Sequence, residues 1–530
     1  MFTKIMQTRI SKLISKSEIH FVTLLLLVLS ISAFLYYFQG EKNLLYADAI
    51  SRLNIARKIV DNITPGLAQV GNVWLPLPQL LMLPFIWNNY LWHSGIAGYL
   101  MSGTMYIIGG LFIYKSAKLI TGSSVSSLFT LGIYALNINV LYLQTTAMSE
   151  SIFMCSLSAA MYFFLLWYYS GKTSHLILAA LSVSMMTLIR YEGLAMLIPS
   201  IPMVFIISYY KGQKKYHSAE GNTFLYGTLA CLGFGLWTLY LTVIFGDPLY
   251  WNTYYATPQA TGGAEAVYTQ AKSFSAAVWQ YFTSVTWMAG IIPVIFALLG
   301  TLVLLIYSIT KRSLIFMPML LPLSIFLFMV LTLQRNTPIV QPELSIANIL
   351  SGQTSLGTGF NIRYGLLLLP WIAIMTAFLF RIKFTAIKLI LFSLMIIQFH
   401  TYWMPEYTVI YKIPDRIVQK PFFAFTTWIQ QNYDGGKILI SAGSMEDQMF
   451  QTGFNYSTFI HEGAGKYWKE SLDNPSRYAK WVVIDYGHNS DSVAKEMNRE
   501  DILEREYKIV YEEKQLKVYK KIIPPYYEIN

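Results

Sequence analysis

The sequence predicts a polytopic α-helical membrane protein of about eleven transmembrane helices, with interfacial helices on its outer side and a small C-terminal α/β domain. Three observations predict it. The 530 residues are 55% hydrophobic and 13% charged, about half the charge of an ordinary soluble domain. Uncharged runs repeatedly reach the ~18–20 residues that cross a hydrocarbon core. Beyond Trp403 the composition changes, and residues 404–530 hold sixteen Lys/Arg against eighteen Asp/Glu. The net charge of +11 therefore belongs to the membrane part, where it argues for topology and against a nucleic-acid partner.

The candidate spans, in order, are 21–38, 96–114, 125–143, 151–169, 175–189, 194–210, 224–245, 285–309, 314–333, 364–380 and 386–403. The first follows Lys4, Arg9, Lys12 and Lys16 and is too long for a signal-peptide core, so an uncleaved signal anchor is expected. With residue 1 in the cytoplasm, the cytoplasmic connections carry fifteen cations against Glu18 and Glu220. The other side carries eight cations and eight acids up to residue 403. That asymmetry is the positive-inside pattern. The expectation is a multi-pass plasma (inner) membrane protein, with its N-terminus cytoplasmic and its C-terminal domain outside. Cys155 and Cys231 lie in apolar runs and frame no disulfide or metal site.

Two domains are expected, a membrane domain at 1–403 and an α/β domain at 404–530. Within the first, the outer connection 39–95 is the most informative. Ile50, Leu53, Ala56, Ile59/Val60 and Ile63 recur at helical spacing and give one apolar face. Such a helix lies in the membrane interface. The segment 75–92 has three prolines and several Trp and Tyr residues, which suit headgroup level. In the tail, strands are expected at 437–443, 481–487, 507–513 and 514–521, with helices at about 419–432, 444–450 and 491–505.

Ionisable residues near membrane depth are costly, by roughly 2.5–3.5 kcal/mol on insertion scales, so each is a candidate for function. Asp48 starts the loop helix. Glu150 begins the fourth span, Arg190 and Glu192 flank Tyr191 in the turn between spans five and six, and Arg363 opens the tenth. Converging acids and arginines suit transfer of a sugar from a lipid-linked phosphate. A carboxylate takes the acceptor proton, and a guanidinium holds the departing phosphate in its planar fork. The plainer alternatives stay open. Asp48 and Asp61 could be the polar face of a surface helix, and Glu150 a favourable first-turn acid. Arg190 and Glu192 could only pair with each other, and Arg363 could be a snorkelling anchor. His461, Asp485 and His488 match no metal-ligand spacing.

YADAISRLNIAR after the first span, TAMSES, RYEG and IRYGLLLLPW together resemble the GT-C glycosyltransferases. The similarity is to members allied with the protein O-mannosyltransferases, the lipid A aminoarabinose transferases and the RgtA/B/C/D-like group, and it covers roughly 15–403. It implies an integral membrane enzyme with a polyprenyl-phosphate-linked sugar as donor and a glycan, lipid or protein as acceptor. It implies Asp48 as the catalytic aspartate of the loop, the general base, and Glu150, the acid opening a later span, as a second catalytic residue. It implies Arg363 as the donor-phosphate contact, with Tyr364 beside it. The reading of the residues adds Arg190 and Arg335 as further phosphate-binding cations, with Arg52, Tyr191 and Glu192 in support. Many relatives have two adjacent acids in this loop, where Ala49 follows Asp48 here. Some bind a divalent metal, but the acids of this chain are too scattered in sequence to assign one.

Two rivals come from other classes. A transporter or flippase of a lipid-linked or anionic solute would show paired repeats and broken helices near mid-membrane. This chain shows no repeat, and its charges sit at the ends of spans. A membrane-anchored sensor or assembly protein would explain the tail and leave the acids and arginines without a purpose.

Overall fold

The computed structural model describes residues 15–212, 215–255, 273–334, 361–382, 385–402, 408–410, 423–497 and 500–522. Arg335 lies outside them. The chain divides into two compact units. The first takes the described residues of Met1–Asn43, Ser102–Tyr240 and Val267–Tyr411; the second takes those of Leu44–Met101, Leu241–Ala266 and Lys412–Asn530.

Eight described helices are long and apolar enough to cross a membrane. Three of the expected spans are shorter helices, Ser124–Ala135, Thr173–Thr187 and the described stretch Lys388–Tyr402. The 125–143 segment is interrupted because Asn137 turns its side chain back to cap a new helix, Ile138–Leu143, accepting from the Asn139 and Val140 N–H groups. The 285–309 segment is likewise two helices, Phe274–Ala289 and Ile291–Thr310. Gly290 separates them at φ +87°, a left-handed conformation that favours glycine.

Within the first unit the helices Glu150–Ser170 and Thr173–Thr187 pack together as a hairpin. Gly171, with φ +66°, closes the first of them. The span Ile362–Arg381 is almost wholly buried, and that burial places whatever its leading residues carry inside the bundle. Several buried polar side chains here are tied to partners. Ser30 donates to Gln144 at 2.7 Å, Asn137 to the Met288 carbonyl at 2.9 Å and Trp371 to the Met319 carbonyl at 2.8 Å, as a low-dielectric interior requires.

The second unit joins the first loop to the C-terminal segment. Its sheet has five strands, β1 (Ile438–Leu439), β2 (Phe459–Ile460), β3 (Trp481–Asp485), β4 (Tyr507–Glu513) and β5 (Leu516–Lys521), in the order β2-β1-β3-β5-β4. β1 runs parallel to β2 and β3, while β5 is antiparallel to β3 and β4. β3 is buried along its whole length, which accounts for its unbroken apolar run.

The loop helix Ala47–Val60 buries Ile50, Leu53 and Ala56 and packs on the helices Leu77–Ile86 and Ala442–Gln451. A dense set of polar contacts fixes the loop to the C-terminal segment. Asp61 accepts from the backbone N–H groups of Tyr456 at 2.9 Å and Ser457 at 3.2 Å. Asn62 and Gln69 both donate to the Gly463 carbonyl, at 3.1 and 2.8 Å. Ser51 donates to Glu446 at 2.6 Å, and Trp92 packs edge-on against Phe450. Arg57 ties the loop to itself, bonding Asp61, the Ile86 and Trp87 carbonyls and Asn89 while lying over Trp92.

Candidate active site

Three helical starts in the first unit bring their charged residues into one cluster. Glu150 is fully buried in the first turn of its helix, where the helix dipole favours an acid. Its Oε1 accepts from Arg363 Nε at 2.9 Å and from Arg190 Nη1 at 3.3 Å. Arg190 reaches Glu192 through Nη2 at 2.7 Å and Ser149 Oγ through Nη1 at 3.2 Å. The Tyr364 ring lies under both guanidiniums, 4.3 Å from Arg190 and 5.3 Å from Arg363. Tyr281 donates to the Tyr364 carbonyl at 3.1 Å.

Glycine makes this packing possible. A Cβ on Gly365 would stand 2.2 Å from the Ser284 carbonyl oxygen, and one on Gly193 2.5 Å from the Met186 carbonyl carbon. Each arginine motif, Arg363-Tyr364-Gly365 and Arg190-Tyr191-Glu192-Gly193, thus ends where backbone meets backbone.

The electrostatics follow from the count of charges. Two guanidiniums and two carboxylates balance, and burial of Arg190, Arg363, Glu150 and Glu192 strengthens every attraction among them. Burial disfavours the Arg190 charge, and the neighbouring Glu192, Tyr364 and Glu150 outweigh it, leaving the guanidinium above its ordinary range. Arg190 and Glu192 do pair, as the plainer alternative held, but Arg190 also joins Glu150. Arg363 is 4% exposed and bound to an acid, which is not the arrangement of a snorkelling anchor.

Asp48 belongs to the second unit. It is half-buried in the first turn of the loop helix. Arg52, one turn on, lies over the Trp74 ring at 4.6 Å. Tyr191 is half-buried and immediately precedes the Glu192–Lys211 helix. Among the described residues no three His, Cys, Asp or Glu side chains stand together to hold an ion. His461 is buried, accepting from Gly463 N–H at 3.0 Å and facing the Asn62 carboxamide oxygen at 3.2 Å, so its role is structural. Ser149, Tyr281 and the two glycines were not singled out from sequence. The glycines were the available signal, since each closes a motif that carries an arginine.

Residues 91–234 match the family model of dolichyl-phosphate-mannose-protein mannosyltransferases. That segment contains Glu150, Arg190 and Glu192. The apo oligosaccharyltransferase of Archaeoglobus fulgidus superposes with a TM-score of 0.50 at 11% identity, covering 89% of this chain and 70% of that one. The fold is that of the GT-C glycosyltransferases. The GT-C protein ArnT of Cupriavidus metallidurans, bound to undecaprenyl phosphate, is also similar at 11% identity and a TM-score of 0.47, covering 93% of this chain and 98% of that one. No curated protein matches the chain.

Proposed function

We propose that the protein is an integral membrane glycosyltransferase that moves a sugar from a polyprenyl-phosphate-linked donor to an acceptor hydroxyl. The observation that carries this reading is the buried cluster, in which Glu150 fixes Arg190 and Arg363 at the heads of apolar helices. A lipid-linked phosphate would arrive at that depth. The GT-C fold and the mannosyltransferase match over 91–234 support the reaction class.

Asp48 is the general base. It takes the acceptor O–H proton as the oxygen bonds to the anomeric carbon, while the bond from that carbon to the phosphate oxygen breaks and polyprenyl phosphate leaves with the electron pair. The configuration inverts. Arg363 contacts the donor phosphate with Tyr364 beside it, and Arg190 and Arg335 add positive potential. Glu150, bridging two guanidiniums, positions them. Arg52, Tyr191 and Glu192 support the arrangement. Sidedness follows the charge asymmetry of the connections, with the N-terminus in the cytoplasm, the chemistry outside and the plasma membrane as location.

Asp48→Asn keeps the shape of the side chain and removes its basicity. Transfer is expected to fall by about 10²–10⁴-fold in a variant that purifies and melts like the parent. Near-normal turnover from a polyprenyl-phosphate sugar removes Asp48 from the mechanism. Arg363→Ala is expected to weaken donor binding much more than acceptor binding, measured as separate KM values. Equal losses would argue against the phosphate contact.

A further inference from the structure

The second unit contains a polar cleft of about 610 Å³ that the proposed chemistry does not use. It opens beyond the carboxyl ends of β1 and β3, which are parallel neighbours. From β1 the chain steps to β2 on one side and then crosses to β3 on the other. Such a reversal of strand order leaves a crevice at the strand ends, the usual ligand position in open α/β sheets. The loop after β1 enters the helix Ala442–Gln451, the loop after β3 supplies Gly487 and His488, and the loop helix closes the cleft with Ala47 and Ser51.

The lining mixes apolar surface, from Ala47 and Ala442 among others, with many hydrogen-bonding side chains. Ser444, Asp447, Gln448, Asp485 and Gln515 face it, with Glu446 beside Ser51. Asp485 is 4% exposed, and among the described residues its carboxylate takes one hydrogen bond, from Gly487 N–H at 3.0 Å. A carboxylate oxygen accepts more than one such bond, so a buried acid at a cleft wall retains capacity for ligand hydroxyls. The amides of Gln448 and Gln515 both donate and accept. Glu446, Asp447 and Asp485 line the cleft with Lys514, and Glu446 also meets Lys58 at 3.7 Å, so the acids outnumber the nearby lysines and phosphate or carboxylate groups are disfavoured.

We infer that this cleft binds a neutral oligosaccharide, the glycan portion of the acceptor, and does not admit an anionic one. The acceptor role rests on the transferase reading; the binding does not. Ser51 lies one helical turn beyond Asp48 on the same helix, so a glycan seated here is held by the element that carries the proposed base.

The test uses the full-length protein in nanodiscs and ligand-observed saturation-transfer NMR. The neutral probes are trisaccharides of glucose, mannose, galactose and N-acetylglucosamine; the anionic probe is trigalacturonate, and a lysine tripeptide controls for simple attraction of cations. At least one neutral trisaccharide is expected to bind and trigalacturonate to fail. Asp485→Asn and the exposed Gln515→Ala are each expected to weaken that binding about tenfold. Failure of every neutral probe, equal binding of trigalacturonate, binding of the lysine peptide alone, or unchanged affinity in both variants overturns the inference. Release of polyprenyl phosphate from donor is read separately. Oligosaccharide binding without donor turnover would defeat the transferase reading and leave the cleft standing, and donor turnover without oligosaccharide binding would do the reverse.

Discussion

Glu150 illustrates what one buried residue can decide. Its carboxylate is the shared acceptor of Arg190 and Arg363, and replacing it with a neutral amide would take a negative charge from between two buried guanidiniums. Breaking a buried ion pair from one side typically costs about 3–5 kcal/mol. Glu150→Gln is therefore expected to lower the melting temperature markedly, and adding Arg363→Met should recover part of the loss. A double variant no better than the single would show that the two residues are not coupled. Gly365 makes a second case at this scale. A methyl group 2.2 Å from the Ser284 carbonyl forces backbone to move, so Gly365→Ala should displace Arg363 and reduce donor binding even where the protein still inserts. Both arginines were visible in the sequence because charges beside apolar runs are rare. Their common partner was not, since 40 and 213 positions of chain separate Arg190 and Arg363 from Glu150.

At the scale of elements, the junction between the loop and the C-terminal segment is built from groups that titrate. Contacts with Ser457, the Tyr456 N–H and Arg57 hold the Asp61 carboxyl below the ordinary range, against the opposing effect of burial. Its stabilisation is present at neutral pH and lost as the pH falls through that lowered value. Burial, aided by the charge of Arg57, pushes His93 down to about 4. Burial, aided by Lys58, pushes His461 well below the usual imidazole range. Both imidazoles are neutral in the fold, whereas the unfolded chain takes up protons from about pH 6.5 downward. Their contribution is therefore full above that pH and declines below it, the same direction as Asp61. Amide protection factors in residues 44–101 and 455–463, with the intrinsic pH dependence of exchange divided out, are expected to fall between pH 7 and 5. A combined His93→Gln and His461→Gln variant should flatten that slope, and an unaltered slope would clear the imidazoles. The helices of this region were legible from periodicity. Their packing partner was not, because an apolar face facing protein and one facing lipid have the same spacing. β2 was missed for a simpler reason, since two residues, Phe459 and Ile460, carry no alternation to read.

For the molecule as a whole, the span pattern and the change of composition after Trp403 were readable because a bilayer imposes length and hydrophobicity on anything that crosses it. The interruptions at Asn137 and Gly290 were less so, since one polar residue or glycine within an apolar run does not reveal whether the helix will break. The grouping of residues 44–101 with the C-terminal segment depends on contacts about 395 positions apart and left no local mark. It has a direct consequence for truncation. Removing residues 412–530 would take from Asp61, Asn62 and Trp92 their partners in the C-terminal segment, so the loop should become protease-sensitive and transfer should fail although the spans still insert. A truncated protein with a protected loop and intact turnover would contradict this.

The clamp between Asp61 and the amides of Tyr456 and Ser457 recognises main chain, as does the grip of Asn62 and Gln69 on the Gly463 carbonyl. Such contacts tolerate drift in side-chain identity but not in the path of the backbone. Chimaeras that exchange the tail of one such protein for another's should therefore work only when the segment after the first span is exchanged with it, the two behaving as a single cassette.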